Sequence, residues 1–547
     1  MKSKAAFYNC GILRSDLRRL WWAPALMTLY IALDQPLYLL NQLENLLESD
    51  LSYPIDLYHK TMLIYYCYPV VMAALLFRYL HTSKATQFFH TLPVTRGELL
   101  RTKLIVLWLF ALIPTLINWA ATAVIYHTTP LMDYLNLNQV NAFFGGILCG
   151  QAALCGISLF AATITGNTAG MIAAACGLPL LPTLIISAAG FGLEAVLTGF
   201  AGFPESLEKF CYDVVPSMNE LTARSACFTL CEFILFTILG AVLYRSYAVE
   251  RSGDLITVKW MRPVFLFGAT FFATMFGLAY AQGNYYSLVG TIVTAAAASA
   301  LGFFIAEALL KKTLRIWSSW KKLAGYAAVI FVVWGVISLD PIGYQTKVPE
   351  IEDIAAVSYG TTPLPTTQEK LDQYMGYVEY GLFTQPENIE TITQLHSRAI
   401  RQKGNCREMN KKYITYRLKD GSLIKRAYYM HPGQDDALLN TEESRISSNY
   451  IFRVPEDDIL YAMIYNAKFE TDSNGNIIST QHSFDGQTMR GPENLKQLRE
   501  VVEKDLLEQD RLEDQTLNIE FYLKGERYYN IYITNGTHTL DFLNSRF

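Results

Sequence analysis

The chain has 547 residues, of which 51% are hydrophobic, 13% aromatic and only 17% charged, with a mean hydropathy of +0.18. Such a composition excludes a disordered chain, a disulfide scaffold and a basic nucleic-acid binder. The formal charge of −4 averages two unlike parts, because residues 1–340 carry 22 basic and 18 acidic side chains whereas residues 341–547 carry 23 and 31.

A hydrocarbon core about 30 Å thick takes roughly 20 mainly apolar helical residues, since buried backbone has only itself to bond to. Nine stretches meet or approach that length, at 21–40, 61–77, 104–126, 142–166, 168–189, 226–244, 263–281, 287–310 and 324–339. Basic residues orient them. Lys2, Lys4, Arg14, Arg18 and Arg19 precede the first span, and Arg78, Lys84, Arg96, Arg101 and Lys103 follow the second. Arg245, Arg251, Lys259 and Arg262 follow the sixth; Lys311, Lys312, Arg315, Lys321 and Lys322 follow the eighth. The intervening connections are acidic or lack Lys and Arg almost entirely. This pattern predicts an inner amino terminus, nine spans and an outer carboxyl-terminal domain. The expected fold class is a polytopic α-helical membrane protein, with about nine transmembrane helices and a C-terminal α+β soluble domain.

In chain order, Phe7, Cys10, Leu13, Leu17 and Leu20 recur at helical spacing, with Arg14, Arg18 and Arg19 off that stripe. The spacing predicts an amphipathic interfacial helix over 1–20; the alternative is a plain cytoplasmic lead-in. The connection 78–103 reads RYLHTSKATQFFHTLPVTRGELLRTK. Its centre, 83–90, predicts a short helix with Ser83 near its cap and Phe88 and Phe89 as apolar anchors. Pro93 disfavours helical geometry at Leu92 and stops it, and Thr95 caps a new turn into the third span. A short helix across the end of a bundle, bearing exposed anchors, is a shape a partner can grip. The alternative sets its aromatics into the inner headgroup layer.

The stretch FFHTLPVTRGELLRTK resembles the cytosolic segment of ABC transporter permeases of the type-2 exporter class, and the amphipathic entry helix is similar to their elbow helix. The segments YRSYAVERSGDLITVKWMRPVF (244–265) and GFFIAEALLKK (302–312) resemble Gram-positive bacterial permeases with extra spans and an extracytoplasmic C-terminal domain. The resemblance implies an elbow helix (1–20), a six-span core (21–245), three additional spans (246–340) and an outer domain (341–547). It implies that a separate ATPase binds the cytosolic segment 83–96, with Ser83, Phe88, Phe89, His90 and Arg96 as contacts. It further implies pairing with a second copy or a sister permease, in a bacterial cell membrane, for export or an envelope or antimicrobial-peptide role. The residues agree on one point independently: no G-x-x-x-x-G-K-(S/T) phosphate loop occurs, so ATP would be bound by another chain. No catalytic set, metal cluster or directly bound cofactor is expected.

Charges within spans mark function by default. Asp34, in the outer part of the first span, and Glu232, deep in the sixth, are candidates for an intramembrane pathway; the alternative for Asp34 is the outer end of its span. Glu307 has a partner at hand in Lys311, four residues on. Gly146 and Gly150 form a close-approach motif in the fourth span. The stretch 190–203 resembles the re-entrant exit helices of type-2 permeases, the alternative being a partly apolar outer loop.

Beyond Asp340-Pro341 the apolar spans stop and a repeat begins. Pro386-Glu-Asn-Ile and Pro492-Glu-Asn-Leu each open an amphipathic helix, and each helix is followed by two strands and preceded by an apolar run. The expectation is two β-α-β-β units. Outside partners would be a substrate or an accessory protein. The competing function is a membrane sensor or scaffold whose outer domain binds a ligand or partner without transport.

Overall fold

The computed structural model describes residues 7–49, 57, 62–215, 222–247, 250, 252–284, 288–341, 343–364, 380–401, 410–447, 449–465, 468–471, 477–481, 486–508, 515–524, 527–534 and 537–546. The chain divides into two compact units. One comprises Met1–Phe191, Phe203–Tyr280 and Ile292–Ala328, and the other Gly192–Gly202, Ala281–Thr291 and Val329–Phe547.

The elements of the helical part, in chain order, are α1 (Cys10–Leu20), α2 (Trp22–Asp34), α3 (Pro36–Ser49), α4 (Met62–Phe77), α5 (Ser83–Thr91), α6 (Arg96–Thr128), α7 (Leu137–Ile164), α8 (Thr168–Gly177), α9 (Leu181–Val196), α10 (Glu205–Val214), α11 (Ala223–Arg245), α12 (Met261–Asn284), α13 (Leu288–Lys311) and α14 (Trp320–Ser338). Eight helical stretches among the described residues are long and apolar enough to cross a membrane, where nine were expected. The missing one is the first. It is divided at Gln35, whose backbone leaves helical geometry (φ −121, ψ −75) ahead of Pro36, whose ring disfavours the α region in the residue before it. Even so, α1 to α3 follow α6 along its length. Asn9 N–H donates to Thr102 Oγ1 (2.9 Å), Asn118 Nδ2 donates to the Thr28 carbonyl (3.0 Å), and Leu39 and Leu43 share a core with Leu131 and Leu135.

Helix α7 is the hub of this unit, packing on α4, α6, α8 and α11. Its crossing with α11 brings Gly156 and Gly240 to the contact, while Gly146 and Gly150 are buried on α7. A Cβ on Gly156 would lie 2.9 Å from the Phe233 carbonyl oxygen, and one on Gly240 would lie 3.0 Å from the Phe160 nitrogen. Within 190–203, α9 continues to Val196 before the chain turns through Gly199 and Gly202, both at positive φ. The later helices join the preceding ones through residues 252–257. Thr257 N–H donates to the Ile164 carbonyl (2.8 Å), and Gly166 N–H to that of Asp254 (2.8 Å). The Asp254 carboxylate also holds Arg262 (3.0 Å) and Lys312 (2.8 Å).

In the second unit β1 (Ile354–Gly360), β2 (Tyr380–Phe383), α15 (Pro386–Arg401), β3 (Asn410–Leu418) and β4 (Leu423–Met430) come first. Then follow β5 (Ile459–Tyr465), a hairpin of β6 (Lys468–Thr471) and β7 (Ile477–Gln481), β8 (Gln487–Arg490), α16 (Pro492–Glu508), β9 (Gln515–Leu523), β10 (Arg527–Thr534) and α17 (Thr537–Arg546). Two antiparallel sheets result, β2-β1-β3-β4 and β8-β5-β9-β10. The order is the same in both, and each unit is β-β-α-β-β. The strand missing from the sequence reading, β2 or β8, has four residues, too few to display alternation. Each sheet buries one face under its own helix: Ile389, Ile392 and Leu395 on the first, Leu495, Leu498 and Val502 on the second. The turn between β3 and β4 needs Gly421 at φ +84, and the Asp420 side chain accepts from Ser422 N–H (2.8 Å).

Candidate functional site

The connection expected to grip a partner folds as α5 followed by a capping box. Helix α5 is preceded by Thr82, whose side chain makes no capping bond; Ser83 is its exposed first residue. Leu92 leaves helical geometry at ψ 147, as the following Pro93 requires. Thr95 Oγ1 then accepts from Glu98 N–H (3.2 Å) while Glu98 Oε2 accepts from Thr95 N–H (2.8 Å). The two reciprocal bonds satisfy donors that the first turn of α6 leaves open.

The two anchors part company. Phe88 is 61% exposed, whereas Phe89 turns inward against the Tyr79 ring (4.8 Å between centroids). Beneath Phe89 lies Lys103, whose ammonium stands 5.1 Å from the Phe89 ring and 5.6 Å from that of Tyr79. It is paired with Asp16 of α1 at 2.7 Å. Both charges are buried, so the low-dielectric surroundings make the pair expensive to break. Arg96, exposed itself, donates through Nη1 to the carbonyls of Arg245 (3.0 Å) and Tyr247 (3.2 Å). Those carbonyls belong to the open C-terminal end of α11, where a cation is favoured. Tyr247 donates to the Leu80 carbonyl (3.0 Å), its phenol kept neutral because burial pushes it up to about 12. Tyr79 and Tyr244 bond through their hydroxyls (2.8 Å), and Thr86 Oγ1 donates to the Tyr79 carbonyl (2.6 Å).

One exposed aromatic thus stands on a platform drawn from α1, α5, α6 and α11. Ser83, Phe88, Phe89 and Arg96 are brought together there; His90 lies in α5, its side chain outside the described residues. Sequence reasoning missed Asp16, Lys103, Tyr79 and Tyr247. Tyr244 and Tyr247 belong to the 244–265 stretch already singled out, and no pattern in the sequence links Asp16 with Lys103.

Asp34 and Glu232 are not joined by any hydrogen bond among the described residues. Asp34 is buried at the break after α2, where Tyr65 donates to it (2.7 Å) and Gln35 Nε2 does so at 3.0 Å. Glu232, half-buried on α11, has its Oε2 sealed from solvent with no hydrogen-bond partner. Glu307 is held by Lys311 (3.0 Å) and Lys322 (3.4 Å) and accepts from Ser319 Oγ (2.5 Å).

In the second unit the segment 192–202 lies along the first sheet. Glu194 pairs with Lys411 at 2.6 Å, which raises the ammonium's pKa despite its burial. Ala427 N–H donates to the Gly199 carbonyl (3.2 Å), and Thr198 N–H donates to Gln345 Oε1 (3.2 Å). No family model, curated protein or solved structure matches this chain.

Proposed function

We propose that this chain is the membrane-spanning permease of an ATP-driven ABC transporter, forming half of a translocation pathway with a second copy or a sister permease. The observation that carries the reading is α5: a short helix presenting Phe88 outward from a base of buried ionic and hydroxyl contacts. That combination suits transmission of force, because the exposed ring offers grip and the base resists being pulled away. Since the sequence has no phosphate loop, the ATPase is a separate subunit docking over Ser83–Arg96. The positive-inside pattern supports a cytoplasmic face for that surface and an outer face for residues 341–547, and the resemblance to Gram-positive permeases supports a bacterial cell membrane. Glu232 and Asp34 are the pathway candidates, and the class of cargo is that of exported or envelope-active molecules.

Phe88→Ala removes an exposed ring, so it changes folding stability by no more than about 0.5 kcal/mol. It is expected to lower co-purification of the ATPase subunit at least tenfold. Phe89→Ala opens a gap over Lys103 and costs on the order of 2 kcal/mol in thermal unfolding. Unchanged co-purification with Phe88→Ala would remove the coupling assignment.

The second reading is a sensor or scaffold. It is supported by the hold of the first outer sheet on the segment 192–202, contiguous in the chain with α9, a route by which an outer ligand would be felt further along the chain. A purified complex containing no ATPase would favour it.

A further inference from the structure

Three cations of the first outer repeat are sequestered, and two of them have a carboxylate. Lys412 pairs with Asp435 at 2.9 Å and Lys411 with Glu194 at 2.6 Å. The third, Arg426 on β4, is 6% exposed, and no Asp or Glu pairs with it among the described residues. Its Nη1 donates to the Lys425 carbonyl (2.8 Å), while its Nε is sealed from water without a hydrogen-bond partner among the described residues. The groups facing it are neutral. The Tyr344 ring lies 3.9 Å from its Cζ. His396 spends Nδ1 on the Tyr416 hydroxyl (3.0 Å) and Nε2 on that of Tyr428 (2.9 Å). Burial, and then the Arg426 charge itself, hold His396 down to about 4, and burial pushes the Tyr428 phenol up to about 12. A buried charge left without a counter-charge is costly, and an aromatic face returns only a fraction of what a carboxylate pair returns.

We propose that Arg426 is the recognition residue of an oxyanion site in the first outer repeat, taking the carboxylate or phosphate group of a ligand. The guanidinium edge that includes Nε offers two parallel N–H groups, the fork that fits such a group in two-point fashion. The ring against the guanidinium belongs to a loop: Tyr344 and Gln345 are held by the Asp340 carboxylate through their backbone N–H groups (2.6 and 2.8 Å). Gln345 in turn holds Thr198, and Gly199 lies against the Tyr428 ring. The site stands independently of any ATPase partner.

The test uses the full chain in nanodiscs of zwitterionic lipid at pH 7.5. Inorganic phosphate or acetate is titrated at ionic strength fixed with chloride, and thermal unfolding is followed. The wild type is expected to gain stability saturably, Arg426→Gln to weaken the apparent affinity at least tenfold, and Arg417→Gln, an exposed cation on β3, to leave it unchanged. Should Arg426→Gln fail to fold, phosphate protection of Arg426 from phenylglyoxal, read by peptide mass mapping, gives the same answer on the unaltered chain. Protection in phosphatidylglycerol nanodiscs without added phosphate identifies a lipid headgroup as the source; protection only on adding the soluble anion identifies a free ligand. A response no different from chloride, or one that Arg426→Gln retains, overturns the proposal.

Discussion

Lys103 is 1% exposed and Asp16 4% exposed, yet each carries a charge, and they lie 87 positions apart in the chain. Lys103→Met leaves the buried Asp16 carboxylate with only the longer contact to exposed Arg19 (3.6 Å), and is expected to cost about 3 kcal/mol in thermal unfolding. Adding Asp16→Leu removes the stranded charge and should restore most of that loss; a double variant as unstable as the single one contradicts the pairing argument. His396 makes the complementary point in the second unit. Its folded pKa, about 4, lies below the ordinary 6.5, so the unfolded chain binds the extra proton between those values. Its stabilising contribution is therefore complete above pH 6.5, falls as the pH drops towards 4, and is constant below. The loss over that window is roughly 3 kcal/mol. Comparing the full chain with His396→Phe across pH 7.5 to 4 should show a shallower decline in the variant, and equal slopes would contradict the assignment. Neither residue was legible in advance. Lys103 reads as one more basic residue of an inner connection and His396 as a histidine without ligand spacing, because burial is decided by partners distant in the chain.

At the scale of elements, local rules carried furthest where local chemistry decides the outcome. The helix over 83–90, its stop before Pro93 and the Thr95 cap are all set within a few residues, and α5 and α6 lie where those rules put them. The break at Gln35 obeys the same rule through Pro36 but was overridden in the reading by the hydropathy of the whole stretch. Helix crossings are another matter. Gly146 and Gly150 carry the familiar spacing and are buried, but the close approach of α7 to α11 at Gly156 and Gly240 has no such signature, since which face meets which neighbour is a property of the assembled bundle. Gly156→Val puts side-chain atoms into the backbone of α11 at Phe233, and is expected to destabilise by about 1–3 kcal/mol or more. The same change at Gly177, which meets nothing within 4 Å, should lie within about 0.5 kcal/mol of wild type. Thermal unfolding of the two in parallel decides whether α7 and α11 are packed as closely as described.

For the whole molecule, the two-part charge pattern corresponds to a change of architecture: helices long enough to cross a membrane before Asp340, two sheets of identical strand order after it. The duplication was legible through Pro-Glu-Asn and its surroundings, but the short strands β2 and β8 were not. Shared strand order does not make the copies equivalent, for among the described residues the first alone holds the segment 192–202 and an Arg426 without a carboxylate. In the helical unit, residues 88–103 and 244–265, the two stretches on which the proposed function rests, meet at Arg96 and Tyr247, a convergence the sequence could not display. That meeting makes coupling to an ATPase the central claim. Its most direct test is a photo-crosslinking amino acid at position 88 of the full chain in growing cells, followed by identification of what it captures. The account predicts one protein adduct carrying a phosphate-binding loop, lost when Arg96 and Lys103 are both replaced by Met to loosen the platform. Capture of lipid alone, with the ATPase absent from the adducts, would contradict it.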